Sequence, residues 1–215
     1  RIGPIEGNTF QERMTVLYNG RVGIGTATPD RKFQVAGDAR INEALSVGDN
    51  GAASGATGVL EVGQSNSVNE NSSAAVGKDN QVNSLNSMAL GFDNLIGVDG
   101  ENLLTFGSHH DIGQNNQNSF YGGENVQSAS DAKRVFGFGR LLDMDGENTY
   151  VFGTGDPNTN TRLTPASDNS FTVGFQGVPL LVARLDPGST SGEGKVGIGT
   201  PTPDREFQVD GNARI

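Results

Sequence analysis

Between residues 59 and 153, apolar side chains recur in short groups that end at a glycine and are followed by polar residues. The residue before each glycine is apolar or aromatic. Because alternate residues of a strand point to the same face, this pattern predicts one short strand with a buried side in each repeat. The predicted repeat glycines are Gly63, Gly77, Gly91, Gly107, Gly122, Gly137 and Gly153. The predicted core residues that precede them are Val62, Val76, Leu90, Phe106, Tyr121, Phe136 and Phe152.

These glycines lie 14 to 16 residues apart, which is the length of one coil of a β-solenoid. A second apolar position follows each of the first six glycines, so a coil consists of a strand, a glycine turn, a short second strand and a polar turn. The second positions are Val68, Val82, Ile96, Ile112, Val126 and Leu142. Asparagine three residues after a glycine predicts a stacked amide ladder. Its expected members are Asn66, Asn80, Asn94 and Asn125, with a break at His110, Arg140 and Asp156.

A longer repeat encloses the coils. Residues 22–41 recur at 196–215 with a constant offset of 174 and sixteen identities in twenty positions. This agreement predicts that the chain covers one period of a tandem array and the start of the next. It also predicts the same β fold for both copies, in which Pro29 and Pro203 lie where no ladder hydrogen bond is needed.

The predicted fold class is therefore all-β: an elongated β-solenoid or β-roll of coils of 14 to 16 residues, with β connectors at both ends. We expect an N-terminal connector at 1–58, a roll at 59–160 and a C-terminal connector at 161–215. No sustained 3.6-residue period occurs between residues 59 and 153, which argues against helices there.

Composition adds a reason to expect assembly. The hydrophobic fraction is 33% while the chain has 32 glycines, so a single narrow coil can bury little. We expect an intertwined homotrimer, with Phe106, Tyr121, Phe136 and Phe152 at a shared threefold axis. The alternative is that these rings fill the interior of their own coil. The net charge of −10 and the absence of a basic run argue against nucleic acid, and no apolar run is long enough for a membrane span.

Two motifs resemble known surface fibres. Segments 72–77 (SSAAVG) and 86–91 (NSMALG) resemble the head repeats of trimeric autotransporter adhesins (YadA-like). The segment from Val22 to Val35, and the stretch 168–175 that leads back into its second copy, resemble elements of bacterial surface proteins and phage tail fibres. The resemblance covers roughly 22–41 and 59–215, and it implies a trimeric β-roll.

Candidate chemistry is sparse. The Gly-x-Gly-Thr segments at 23–26 and 197–200, like Gly137-Phe138-Gly139, invite a phosphate-loop interpretation, but the prolines and further β pattern after the first two speak against the required helix. His109 and His110 are the only histidines, and Asp143 and Asp145 lie in an acidic turn. These four are the candidate metal ligands, with calcium as a possible ion at the acidic turn. The alternative for all four is a solvated polar turn.

The sequence thus predicts a non-enzymatic, extracellular or cell-surface fibre segment that mediates attachment or projects a binding tip. We expect identical chains as partners, a host glycan or surface protein as a further partner, and no cofactor. The first alternative is a tail fibre of a phage or contractile injection system, located on the virion or particle and recognising a host. The second is a β-helical polysaccharide hydrolase with carboxylate pairs across a trimer groove.

Overall fold

The computed structural model describes residues 14–40, 58–165, 167–185 and 194–212, together with the backbone of the strands at 5–6, 9–10 and 45–49. The chain forms two compact units, Arg1–Asn42 and Glu43–Ile215. All regular secondary structure in the described residues is β-strand, which confirms the all-β prediction.

The strands of the first unit are short. They are β1 (Ile5–Glu6), β2 (Thr9–Phe10), β3 (Met14–Val16), β4 (Val22–Ile24) and β5 (Phe33–Val35). β1 and β2 form an antiparallel pair. β4 pairs antiparallel with β3 and parallel with β5, giving a three-stranded sheet.

The second unit contains the solenoid and one connector. Its strands are β6 (Leu45–Asp49), β7 (Leu60–Gln64), β8 (Ser67–Val68), β9 (Ala74–Lys78), β10 (Gln81–Val82), β11 (Met88–Phe92), β12 (Leu95–Ile96), β13 (Glu101–Ser108), β14 (Asp111–Ile112), β15 (Gln117–Ser128), β16 (Phe136–Asp143), β17 (Tyr150–Thr154), β18 (Ser170–Phe175), β19 (Val178–Leu185), β20 (Gly194–Ile198) and β21 (Phe207–Val209).

Two parallel stacks of strands build the solenoid. The first sheet runs from β6 through β7, β9, β11, β13, β15, β16 and β17 to β18. The second sheet stacks β8, β10, β12 and β14, and β14 pairs with the end of β15. Since each strand of the first sheet pairs with its equivalent in the next coil, the chain advances by one strand spacing, about 4.8 Å, per coil. The β-solenoid prediction is confirmed.

The glycine column of the first sheet differs from the predicted one at two positions. In register are Gly63, Gly77, Gly91, Gly107, Gly123, Gly139, Gly153 and Gly174. Gly122 and Gly137 were therefore wrongly predicted as column members. Gly122 pairs with Phe106 and Phe138, and Gly137 pairs with Tyr121 and Val151. The error arises because Tyr121-Gly122 and Phe136-Gly137 also have an aromatic residue before a glycine. These pairs place the predicted glycine one residue before Gly123 and two residues before Gly139.

With the register corrected, the coil lengths become regular. Coils that begin at Gly63, Gly77 and Gly139 have 14 residues, and those that begin at Gly91, Gly107 and Gly123 have 16. Every one of these coils has two non-glycine residues with positive φ at its corners, such as Asp79 and Asn86. The 16-residue coils have a third one, at Asp99, Asn115 or Asp131. The two extra residues thus form an additional left-handed corner.

The core lies between the two sheets. The first sheet contributes the residue two positions before each column glycine, and the second sheet contributes its predicted apolar position. The first set, called the inner row, is Glu61, Ala75, Ala89, Thr105, Tyr121, Gly137, Val151 and Thr172, all buried. The second set is Val68, Val82, Ile96 and Ile112, which pair in register and are fully buried as predicted. Val126 and Leu142, predicted as its next members, are also fully buried but lie two residues out of register, because Ile112 pairs with Ser128.

The predicted core residues before the glycines mostly face the other way. Of the seven, only Tyr121 is buried in the single chain; Val62, Val76, Leu90, Phe136 and Phe152 are half-buried, and Phe106 is 54% exposed. Side chains alternate along a strand, so the residue adjacent to an inner-row member must point outward. Tyr121 is buried because Gly123, not Gly122, belongs to the column, and burial raises the pKa of its phenol.

The amide ladder is confirmed for three of its four predicted members. Asn80 Nδ2 donates to Asn66 Oδ1 at 3.0 Å, and Asn94 Nδ2 donates to Asn80 Oδ1 at 2.8 Å. The ladder ends at His110, whose backbone N–H donates to Asn94 Oδ1 at 3.3 Å. Asn125 is not a member; its side-chain oxygen accepts from Arg162 at 2.6 Å instead.

The two copies of the long repeat adopt the same connector fold, as predicted. Val22, Gly23 and Ile24 of β4 pair with β5 in the register that joins β20 to β21. In each copy, the strand that contains the first glycine of the Gly-x-Gly turn also pairs antiparallel with the strand before it in the chain, β4 with β3 and β20 with β19. Gln34 Oε1 accepts from the Asp30 amide at 2.9 Å, and Gln208 Oε1 from the Asp204 amide at 2.8 Å. Ile41 and residues 213–215 lie outside the described part.

The predicted domain boundaries need revision. The first compact unit ends at Asn42, and β6 already pairs in solenoid register with β7, so the roll begins before residue 59. At the other end β18 still stacks parallel on β17. The antiparallel connector starts at β19, not at residue 161.

Candidate interaction face

The outer surface of the first sheet is apolar over the whole length of the solenoid. Two rows flank the inner row, and we call them together the outer stripe. One row is Leu60, Ala74, Met88, Leu104, Phe120, Phe136, Tyr150 and Phe171; the other is Val62, Val76, Leu90, Phe106, Gly122, Phe138, Phe152 and Val173. Every member is apolar or aromatic, so the stripe carries no formal charge.

The stripe changes character along the solenoid. Its first three coils are aliphatic, with small or flexible side chains such as Ala74 and Met88. From Phe106 onward it is mainly aromatic, and rings contact one another from coil to coil. Phe120 and Phe136 stack with centroids 4.8 Å apart, and Phe136 lies 5.4 Å from Phe152. Such a row of stacked rings is rigid, which lowers the entropic cost of covering it.

Large parts of these rings are open to solvent. Phe106 is 54% exposed, Tyr150 50% and Phe138 48%. An isolated exposed ring on a protein surface is ordinary, but a continuous apolar ribbon marks an interaction site. The surface outside the first sheet is thus the strongest candidate for a functional site in this unit.

The apolar surface continues across the connector of the same unit. In β19, β20 and β21 the residues that pair in register with the stripe are again apolar. One row continues as Leu181, Ile198 and Val209, and the other as Ala183, Val196 and Phe207. Phe207 is 62% exposed. An open cavity of about 510 Å³ lies where the solenoid meets the connector. Its lining includes the stripe rings Tyr150 and Phe171, together with residues of β19 and β20.

Polar corners border the stripe. On one side, Asn102 Nδ2 donates to Asn118 Oδ1 at 3.0 Å, and Asn148 Nδ2 donates to Asn169 Oδ1 at 2.7 Å. On the other side, Arg140 pairs with Glu124 at 3.1 Å. An apolar centre between polar rims is the arrangement found at protein–protein interfaces.

The four candidate metal ligands do not come together. The His109 ring lies outside, edge-on to Phe92 at 5.2 Å and with Nε2 3.9 Å from Asp93 Oδ2. The His110 ring is buried inside the coil. Among the described residues, no group of three or more His, Cys, Asp or Glu side chains is close enough to hold a metal ion.

Asp143 and Asp145 line an open cavity of about 310 Å³ beside Asp168. Burial, and next the charge of Asp145, raise the pKa of Asp143. Asp145 Oδ1 accepts from the Ala129 amide at 2.6 Å, and Asp168 Oδ1 accepts from the Glu147 amide at 2.8 Å. These contacts join neighbouring coils, so the carboxylates of Asp145 and Asp168 both stabilise the stacking of the coils. Calcium binding at this turn stays a hypothesis.

Sequence reasoning missed part of the outer stripe and one polar column. Phe120 and Phe138 were overlooked because the glycine register was shifted in their coils. The column lies four residues before the column glycines, where Ser73, Ser87 and Ser119 alternate with Leu103 and Val135. Ser73 Oγ accepts from the Ser87 amide at 3.0 Å, and Ser119 Oγ accepts from the Val135 amide at 3.0 Å. The recurrence of serine at that offset was the available signal.

The chain matches no protein-family model, no curated protein and no solved structure. In the part of the chain that the structure describes, no helix has the length and apolar character of a membrane span.

Proposed function

We propose that this chain is a segment of an extracellular fibre in which identical copies pack along the outer stripe, most simply three around a common axis. The observation that carries the proposal is the uncharged outer stripe from β7 to β18, with its apolar continuation across β19 to β21, much of which a single chain leaves exposed. Full burial of an exposed Phe or Leu side chain contributes about 1.5–3 kcal/mol, and covering a stripe ring such as Phe106, which is 54% exposed, contributes roughly half of that. The solenoid core is thin, so this further burial is a substantial addition.

Two further features support a fibre. The stripe holds only two side chains per coil, a narrow ribbon that fits a symmetric axis better than a broad flat dimer. The 174-residue period repeats one connector fold at both ends, as a tandem filament requires. The resemblance of the coil repeats to trimeric adhesin heads is consistent with threefold assembly. The proposed role is structural and adhesive, and it assigns no catalytic residue.

The mass of the chain in solution tests the assembly directly. We expect sedimentation equilibrium to give three times the chain mass of 22.4 kDa at micromolar concentration. A folded single chain at that concentration would contradict the proposal. Location is tested separately: an antibody raised against residues 58–165 should label intact producing cells or particles without permeabilisation, and labelling only after lysis would contradict an extracellular fibre.

A further inference from the structure

His110 holds a special place in the solenoid. It occupies the position at which Asn66, Asn80 and Asn94 stand in the preceding coils, so it is the last member of the buried ladder. It is 2% exposed. The ladder members before it are neutral amides at every pH, whereas an imidazole can take up a proton.

The two ring nitrogens of His110 are both engaged. Nδ1 accepts from the backbone N–H of Val126 in the next coil at 3.2 Å. Nε2 lies 3.2 Å from the carbonyl oxygen of Phe106, which is an acceptor. A ring that accepts at Nδ1 and donates at Nε2 is the neutral Nε2–H tautomer. The Nδ1 bond ties the coil of His110 to the coil of Val126, and the Nε2 bond fixes the ring against the carbonyl of Phe106, four residues earlier in the chain.

We propose that His110 is an acid-sensitive joint in the solenoid: its neutral ring connects the laddered coils to the aromatic coils, and protonation of the ring breaks that connection. A proton on Nδ1 would face the N–H of Val126, so donor would meet donor. The Val126 amide, which is buried, would then lose its acceptor. This inference is independent of the proposed fibre function.

The surroundings offer the protonated ring no compensating charge. On its own element, the neighbouring His109 disfavours a second positive charge, and Asp111 is exposed. From the preceding coil the ladder presents the neutral Asn94. In the next coil Glu124 is paired with Arg140. Burial is the main cause that lowers the pKa of His110.

The direction of the pH effect follows from which state binds the proton. The unfolded chain takes up a proton at this histidine below about pH 6.5, while the folded chain does not. Stability is therefore lost as pH falls from about 6.5 towards the lowered pKa of the folded state. In this window the unfolding equilibrium constant should rise by up to tenfold per pH unit from this one group.

The experiment compares three full-length proteins by denaturant unfolding between pH 8 and pH 5. We expect the free energy of unfolding of the parent and of His109→Asn to fall below about pH 6.5. For His110→Asn, which restores the ladder residue, we expect a smaller fall, and the difference should correspond to the uptake of one proton fewer on unfolding. An equal acid loss in the parent and in His110→Asn would overturn the proposal. If His110→Asn does not fold, NMR titration of the imidazole nitrogens in the parent decides. An Nε2–H ring that stays neutral at pH 6 supports the proposal, and a ring that titrates near 6.5 overturns it.

Discussion

Gly122 and Gly123 are adjacent in the chain, yet the structure gives them opposite roles. Gly123 has φ of 118°, and a Cβ there would overlap the backbone carbonyl of Gly139 in the next coil. Gly122 lies in the outer stripe, where the nearest atoms to a Cβ would belong to the rings of Phe138 and Phe120, at 2.7 and 2.9 Å. Rings can rotate away, whereas a paired backbone cannot.

We therefore expect Gly123→Ala to lower the free energy of unfolding by about 3 kcal/mol or more, through the combined backbone strain and overlap. Gly122→Ala should cost about 1–2 kcal/mol, the usual cost of modest overpacking. Denaturant unfolding followed by circular dichroism, at one protein concentration, measures both. A larger loss in Gly122→Ala would show that the column passes through Gly122, as the apolar–glycine pattern had suggested.

At this scale the sequence was informative but not sufficient. Five of the seven predicted glycines are column members, and Val, Leu or Phe precedes each of them directly. The other two could not be placed, since Gly122-Gly123 and Gly137-Phe138-Gly139 each offer two glycines, and only pairing with neighbouring coils decides between them. The sequence also did not determine whether the residue before each glycine points inward or outward. A period of two separates the two faces of a strand but does not say which face is inside.

At the scale of the element, the ladder joins coils through side chains that no water reaches. Asn80 donates to Asn66 Oδ1 and to the carbonyl of Gly91 at 2.9 Å, and it accepts from Asn94. Asn83 belongs to the same coil but is only half-buried: its Oδ1 accepts from Asn69 Nδ2 at 2.6 Å in an exposed position, and its Nδ2 donates to the carbonyl of Ile96 at 3.1 Å. The two asparagines therefore form a matched pair, one fully buried and one half-buried.

Asn80→Ala should lower the free energy of unfolding by roughly 3 kcal/mol or more, because it leaves several buried groups without partners. Asn83→Ala should change it by only about 1 kcal/mol, because Asn83 is half-buried and water can replace its exposed bond to Asn69. Thermal and denaturant melts of both variants make the comparison. Equal losses would mean that burial does not strengthen the ladder.

The connectors could be predicted at element level because sixteen of twenty residues recur without a gap. The coil lengths could not, since an extra left-handed corner at Asp99, Asn115 or Asp131 has no sharper signal than any other polar turn. A left-handed corner at Leu141 runs against the usual preference for Asn, Asp or Gly. Local propensity gave the solenoid class, while coil-to-coil pairing set the register.

At the scale of the second unit, the predicted thin core and the exposed outer stripe have the same cause, which is the placement of small residues inside and large rings outside. Apart from Tyr121, the inner row has no aromatic ring and uses small residues such as Ala75, Ala89 and Gly137, while the other rings of these strands lie outside. A monomeric protein would gain more by the opposite arrangement, because rings contribute most when buried. The placement is intelligible if another chain covers the rings, and it favours the shared-axis hypothesis over the coil interior for Phe106, Phe136 and Phe152.

Phe138→Ser tests that reading, because its ring is 48% exposed in the single chain and lies in the middle of the aromatic part of the stripe. We expect the coil fold, and with it the far-ultraviolet circular dichroism, to persist. Association should weaken by about 2 kcal/mol or more per copy, as for a central interface residue. Sedimentation at decreasing concentration should then show the variant dissociating to single chains where the parent remains assembled.

Leu95→Ser is the matched control, since Leu95 is 37% exposed but lies in β12 of the second sheet, away from the stripe. It removes a comparable apolar side chain, so a general loss of stability would affect both variants alike. We expect it to keep the parent mass at every concentration. If Leu95→Ser dissociated while Phe138→Ser stayed assembled, the second sheet would be the contact surface, and the outer stripe would need another partner to explain its exposed rings.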